Sequence, residues 1–280
     1  MIYSSYEGRI GNNLFQLAAC LSLANRHRTE AAAGISGNLR FMKENFIMKD
    51  INFIDNGDPQ GFRYRHLLPA NITYTYREQG YNYNKDFFKI PDNSFIDGFF
   101  QSEKYFKCIK GIIRRNFDFK EHIINQAKNI SYFKPRKKHS GFIHVRRQDY
   151  LQENNAIAYP QPPLSYYINC INKSNLKIIY IFSDDINWCM NNFKDFDDKK
   201  FIPVQESNPY VSLYMMSQLD TAIIANSTFS WWGAWLNHRV NTKKVYYPVP
   251  WYDKSICNGM TEEEYIKDLP CDDWVGIKWR

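Results

Sequence analysis

No stretch of the 280 residues approaches the roughly 20 uncharged apolar residues that a membrane-spanning helix needs. The opening residues Met1-Ile2-Tyr3-Ser4-Ser5-Tyr6-Glu7 also lack the apolar core of a secretory signal, so a cytoplasmic protein is expected. Cysteine is scattered: Cys20, Cys108, Cys170, Cys189, Cys257 and Cys271 contain no C-x-x-C pair. That spacing argues against a zinc site or a disulfide framework and predicts reduced thiols. Neither sign of charge dominates. Lys and Arg number 36 against 29 Asp and Glu, a net charge of +7, which gives a general attraction to anions and no dedicated nucleic-acid surface. No nucleic-acid partner is expected. The chain has no short-period repeat, which removes solenoid architectures from consideration.

What the chain does have is material for packed cores, with 44% apolar and 17% aromatic residues. At the usual domain size of about 100 to 200 residues, its length predicts two domains. Met1 to Tyr6 reads as a short strand, Gly8-Arg9-Ile10-Gly11-Asn12-Asn13 as a glycine loop, and Leu14 onwards as a helix. Such a loop exposes backbone N–H groups where the helix dipole favours an anion, which makes Gly11 and Asn12 candidate donor-binding residues. A tight turn whose glycines serve only geometry fits the same residues. Residues 34–100 are irregular and yield few elements, after which Ser102 is placed to cap a helical stretch running through Ile113. A further helix is predicted over 120–130, and the basic, proline-broken Lys134-Pro135-Arg136-Lys137-Lys138-His139 is the expected interdomain linker. The predicted domains are 1–135 and 136–280, with a tail from Pro248 packing back on the first.

From Ser140 the pattern alternates. Strands over 140–146, 176–182, 201–204, 221–225 and 243–247 are separated by helices over 164–173, 186–193, 209–218 and 228–237, as in a doubly wound α/β domain. In such a sheet ligands bind outside the carboxyl ends of the strands. Three strand ends carry chemistry there. Gly141-Phe142-Ile143 leads into His144-Val145-Arg146-Arg147-Gln148-Asp149, and an arginine pair on a strand edge suits a diphosphate, because each guanidinium matches phosphate oxygens two at a time. An Arg-Asp surface network is the alternative use of the same residues. The strand Ile178-Ile179-Tyr180-Ile181-Phe182 ends in Ser183-Asp184-Asp185. These carboxylates suit a metal, a ribose or base, or the cap of the next helix; a metal would compete with the arginines, so donor binding by Ser183 and Asp185 is preferred. The third strand passes into Asn226-Ser227-Thr228-Phe229-Ser230, whose hydroxyls and helix N–H groups suit a second face of the phosphate. Trp231, Trp232 and Trp235 are expected to pack rather than to stack on a sugar.

Taken in order, GRIGNNLFQLA, GFFQSEKYF, HVRRQDY, FSDDINWC and ANSTFSWWGAWLN resemble the bacterial α-1,2-fucosyltransferases of glycosyltransferase family 11, over residues 8–252. The resemblance implies a GT-B architecture: two Rossmann-like domains facing a central cleft, the acceptor on the first and GDP on the second. It implies inverting transfer of L-fucose from GDP-β-L-fucose to the 2-hydroxyl of a galactose-like residue in a bacterial surface glycan, without cofactor or essential metal. By the same resemblance Arg146 contacts the diphosphate, His144 and Asp185 lie near guanine or ribose, and Ser230 and Trp231 flank the phosphate. Arg147 either joins the donor set or braces Asp149. For removing the acceptor proton, Glu153 is the carboxylate nearest the motif, with Asp149 as the alternative. The sequence departs from the family at Gln148, where glycine is common, at Asn13, where glutamine is usual, and over Ala156 to Pro163, which replaces an HGVCS-like segment. Another GDP-sugar or acceptor, or a non-catalytic carbohydrate-binding subunit, therefore stays open. The basic run Arg136-Lys137-Lys138 adds the expectation of peripheral contact with the inner membrane face, where a lipid-linked oligosaccharide acceptor would lie.

Overall fold

Two parallel sheets organise the chain, and each is built by strands that alternate with helices. The computed structural model describes residues 1–35, 37–55, 70–135, 139–148, 158–237 and 244–280. The chain divides into a first unit, Met1–Lys120 with Asp268–Cys271, and a second, Glu121–Lys267 with Asp272–Arg280.

The first unit contains β1 (Ile2–Ser4), α1 (Ile10–His27), β2 (Ala31–Gly34), α2 (Gly37–Asn45), β3 (Ile51–Ile54), β4 (Tyr74–Arg77), β5 (Ser94–Asp97) and α3 (Lys110–Asn116). Its sheet has the order β3-β2-β1-β5-β4, every pairing parallel. Helix α1 buries an almost unbroken run from Leu14 to Ala24, and ends where Arg28 turns left-handed at φ 53°. Arg26 and His27 in its last turn complement the negative end of the helix dipole. The stretch 34–100, read as irregular, holds α2 and three strands. The helical stretch after Ser102 is two 3-10 turns, Glu103–Tyr105 and Lys107–Ile109, before α3; Ser102 caps the first of them by accepting from the Lys104 N–H.

In the second unit follow α4 (Glu121–Asn129), β6 (Ser140–Val145), α5 (Leu164–Lys173), β7 (Ile178–Ser183), α6 (Ile186–Asn192), β8 (Lys200–Pro203), α7 (Pro209–Ser217), β9 (Thr221–Ile223), α8 (Thr228–Trp235), β10 (Lys244–Val249), α9 (Glu262–Tyr265) and β11 (Val275–Lys278). The sheet order β11-β10-β9-β6-β7-β8, all parallel, is the Rossmann order counted from β6. Every residue of β6 is buried, as expected of a central parallel strand covered on both faces. A Cβ on Gly141 would lie 2.5 Å from the Thr221 carbonyl oxygen and 2.7 Å from Leu176, so glycine is what lets β6 and its neighbours close up here. Tyr166 on α5 pins the adjoining strands, donating to the carbonyls of Ile224 at 2.7 Å and Tyr246 at 3.2 Å.

The boundary falls at Lys120/Glu121, not at the basic stretch around 135, because α4 buries Ile123 and Ala127 and packs against α7 of the second unit. Within the first unit Asp268 accepts hydrogen bonds from the Tyr83 N–H and from Lys104 Nζ. The last strand, β11, pairs with β10 and has no counterpart in the sequence reading. Among the described residues no helix is long and apolar enough to cross a membrane.

Candidate functional site

The strand order reverses direction between β6 and β9, which makes their carboxyl ends the switch point of the second sheet, where a ligand is accommodated in folds of this kind. Arg146 leaves the end of β6 there, and its Nη1 donates to Ser227 Oγ at 3.4 Å. Ser227 is the residue before α8, and its side chain makes no capping bond, so the hydroxyl faces the arginine at the positive end of the helix. His144 is buried with its ring 5.9 Å from that of Phe229. Thr228 begins α8 and is half-buried. Arg146, Ser227 and Thr228 are thus brought together at one strand edge.

Arg147 turns the other way. Its guanidinium lies 4.3 Å over the Trp188 ring, Nε donates to Asp185 at 3.2 Å and Nη1 to Gln161 at 3.3 Å. It braces Asp185; the alternative partner, Asp149, lies outside the described residues, as does Glu153. Asp185 itself caps α6 by accepting from the Trp188 N–H at 3.0 Å, and Ser183 Oγ accepts from the Asp185 N–H at 2.9 Å. Asp184 accepts from the backbone N–H groups of Arg147 at 2.8 Å and Gln148 at 3.1 Å. Both carboxylates hold the local framework. Among the described residues no group of three or more His, Cys, Asp or Glu could hold a metal ion.

Three expected donor-binding residues are committed elsewhere. Both amide hydrogens of Asn226 go to backbone carbonyls, of Pro160 at 2.9 Å and Trp251 at 3.0 Å, and the residue is 1% exposed. Ser230 is fully buried and donates to the Ser227 carbonyl at 3.2 Å. Trp231 is likewise fully buried, packed on Trp232, Trp235 and Trp274 with ring centroids 5.1, 6.3 and 5.2 Å away. Both side chains are enclosed by protein, and the packing expected for the three tryptophans holds. Sequence reasoning missed Gln161, Trp188 and Tyr159. The segment carrying Tyr159 is anchored by its neighbours, with the Asp253 N–H donating to Ala158 at 3.0 Å and Gln161 Nε2 to the Arg147 carbonyl at 3.1 Å. Burial pushes the Tyr159 phenol up and the nearby Arg146 charge opposes this, which places the two side chains in one electrostatic neighbourhood.

In the first unit the glycine loop stands at the carboxyl end of β1, beside β5, the switch point of that sheet. Gly8 has φ +81° and its Cβ would meet the Asn12 side chain at 2.5 Å, so the glycine serves geometry. Gly11 is buried in the first turn of α1. The Asn12 N–H is spent on the Arg9 carbonyl at 3.0 Å and its side-chain oxygen accepts from Gln101 at 3.1 Å, so the backbone group expected to meet an anion is already paired. At the end of β4 lies a carboxylate that no sequence motif singles out. Glu78 accepts from the N–H groups of Phe99 and Phe100, both at 2.8 Å, and from the Tyr105 hydroxyl at 3.0 Å. Burial raises it from 4.5 to about 7 against those donors.

Comparison with known proteins joins this geometry to a family. The family model described as Glycosyl transferase family 11 matches residues 7–278. An α-1,2-colitosyltransferase of Escherichia coli is 34% identical over 99% of this chain and 99% of its own. A galactoside 2-α-L-fucosyltransferase of Caenorhabditis elegans is 24% identical over 95% of this chain and 77% of its own. Among solved structures, POFUT1 in complex with GDP-fucose aligns with a TM-score of 0.54 at 11% identity, covering 88% of this chain and 97% of that one. That likeness bears on fold, which is of the GT-B type.

Proposed function

The chain belongs to glycosyl transferase family 11, and from that premise we propose that this glycosyltransferase moves L-fucose from GDP-β-L-fucose to the 2-hydroxyl of a galactose-like residue, with inversion. The observation that carries the reading is Arg146 paired with Ser227 at the switch point of a Rossmann-order sheet, beside the start of α8. As the bond to the sugar breaks, negative charge grows on the β-phosphate and the sugar becomes oxocarbenium-like. A fixed guanidinium and a helix N-terminus stabilise that charge more in the transition state than in the ground state. No metal is needed for this step, and no cofactor enters it. The acceptor hydroxyl loses its proton to a carboxylate following the arginine motif, Glu153 or, failing that, Asp149. The acceptor is a bacterial surface glycan, met as a lipid-linked oligosaccharide at the inner membrane face by a cytoplasmic protein.

A second donor is favoured by one specific observation. The relative that is 34% identical over the whole length is named for colitosyl transfer, and colitose is fucose without its 3-hydroxyl. The test is a thermal-shift panel of nucleotide sugars, since a ligand of the native state raises stability by mass action, followed by transfer to galactosides with GDP-fucose and GDP-colitose side by side. An α-1,2-linked fucosyl product supports the first reading, and turnover of GDP-colitose alone replaces it with the second. Binding of UDP-sugars only, or turnover of neither GDP-sugar, overturns both.

A further inference from the structure

Asp184, which sequence offered to a ribose or a metal, is engaged by the chain itself. Two successive N–H groups, of Arg147 at 2.8 Å and Gln148 at 3.1 Å, converge on its two carboxylate oxygens. Consecutive amides aimed at one anion fix the backbone torsions between them, because neither peptide plane can rotate without losing a charge-assisted bond. The turn so fixed starts at Arg146. Its far side is locked as well, by Arg147 stacked on Trp188, paired with Asp185 and bonded in both directions to Gln161. The end of β7 therefore grips the residues that follow β6, its neighbour in the sheet.

We propose that Asp184 is a positioning residue, holding the turn that aims Arg146, and not a ligand of the nucleotide or of a metal. The inference rests on the proposed role of Arg146 at the leaving diphosphate. Reaction rates are sensitive to such placement, where an error of about 1 Å can cost on the order of 10²-fold. The clamp explains why an exposed aspartate at a strand end bonds to backbone N–H groups of the neighbouring turn. It also assigns the two carboxylates different tasks: Asp185 holds α6 and Arg147, and Asp184 holds the backbone.

The experiment is a double-mutant cycle of Asp184→Ala and Arg146→Ala, with Asp184→Asn as the conservative variant. Asp184→Ala is expected to lower kcat about 10- to 100-fold while KM for the donor and GDP binding stay within about twofold. Asn, which keeps one oxygen acceptor, restores part of the loss. In the Arg146→Ala background the same change costs less than about threefold, because the group being aimed is gone. A loss of GDP affinity that matches the loss of rate, or a new metal dependence, would make Asp184 a ligand and overturn the proposal. Equal losses with and without Arg146 would overturn it in favour of a general structural role. Amide exchange gives a readout independent of turnover: Arg147 and Gln148 should lose protection in Asp184→Ala and keep part of it in Asp184→Asn. Unchanged protection sinks the clamp, whereas an inactive wild type with protection lost on mutation sinks only the transferase reading.

Discussion

Glu78 gives a prediction whose sign is fixed by the structure. Its carboxylate is enclosed at the end of β4, supplied by Phe99 N–H, Phe100 N–H and the Tyr105 hydroxyl. These donors favour the charged form, yet burial outweighs them and the Asp97 charge adds to it, so the group titrates at about 7 against an ordinary 4.5. The folded protein thus binds this proton more tightly than the unfolded chain. The contribution to stability is fully present below about 4.5 and is lost as pH rises through about 7. At about 1.4 kcal/mol per pH unit, the gap corresponds to roughly 3 kcal/mol. The protonated form has a place for its hydrogen: Tyr105 accepts from the Asn84 N–H at 3.2 Å and reaches the Asn82 carbonyl at 3.5 Å, so it can turn its own proton there and receive that of Glu78. Glu78→Gln stays neutral at every pH and keeps an oxygen for Phe99 and Phe100. Urea unfolding of both proteins at pH 5, 6, 7 and 8, taken as the difference between them, cancels the other titrating groups. The wild type should lose stability relative to the variant as pH rises, by about 2 to 3 kcal/mol across the window. A constant difference, or a wild type that gains on the variant with rising pH, refutes the account.

At the site, Arg146→Ala should lower kcat about 10²- to 10³-fold in steady-state assays, with poor rescue by Lys, which lacks the bidentate fork; near-wild-type kcat in the folded variant would remove the clamp. Activity should persist in EDTA, and activity lost on chelation and restored by Mn²⁺ or Mg²⁺ would overturn the metal-free mechanism. Co-sedimentation with anionic vesicles should be weak and abolished by high salt, as expected for about 1 kcal/mol per cation of a basic run such as Arg136-Lys137-Lys138; no binding to anionic vesicles at low salt refutes membrane contact. The run itself lies outside the described residues.

The second sheet was legible because its central strands are buried on both faces and read as apolar runs, each ended abruptly by polar residues. Helix α5 was predicted to the residue, and β6 through β10 within two or three. In the first unit β4 and β5 have four residues each, and β4 is mostly exposed, so neither apolar run nor alternation marks them. Their pairing is decided by contacts distant in sequence. The interdomain boundary was misplaced for a related reason: a basic, proline-containing stretch looks like a linker, but the buried Ile123 and Ala127 bind α4 to the unit that follows it.

Within the site, what sequence could tell depended on where a polar residue stands relative to the helix start. Ser227 precedes α8 and its hydroxyl meets Arg146, whereas Ser230, one turn in, bonds back to the carbonyl three residues before it, as serine does inside helices. The same distinction separates Asp184 from Asp185. The residue adjacent to α6 caps it, and the residue before that reaches across to the neighbouring strand end. Asn226, last before the turn, is drawn inward where its amide supplies donors to two carbonyls, those of the half-buried Pro160 and the buried Trp251. Hydroxyls, carboxylates and amides clustered at a strand end therefore mark a candidate region, while which of them the framework takes up follows from which backbone groups the fold leaves to be satisfied. On that division Arg146 and Ser227 bond to each other at the end of β6, whereas Asp184, Asp185, Asn226 and Ser230 bond to backbone groups around them, so substitutions in the second group are expected to act on catalysis through the placement of the first.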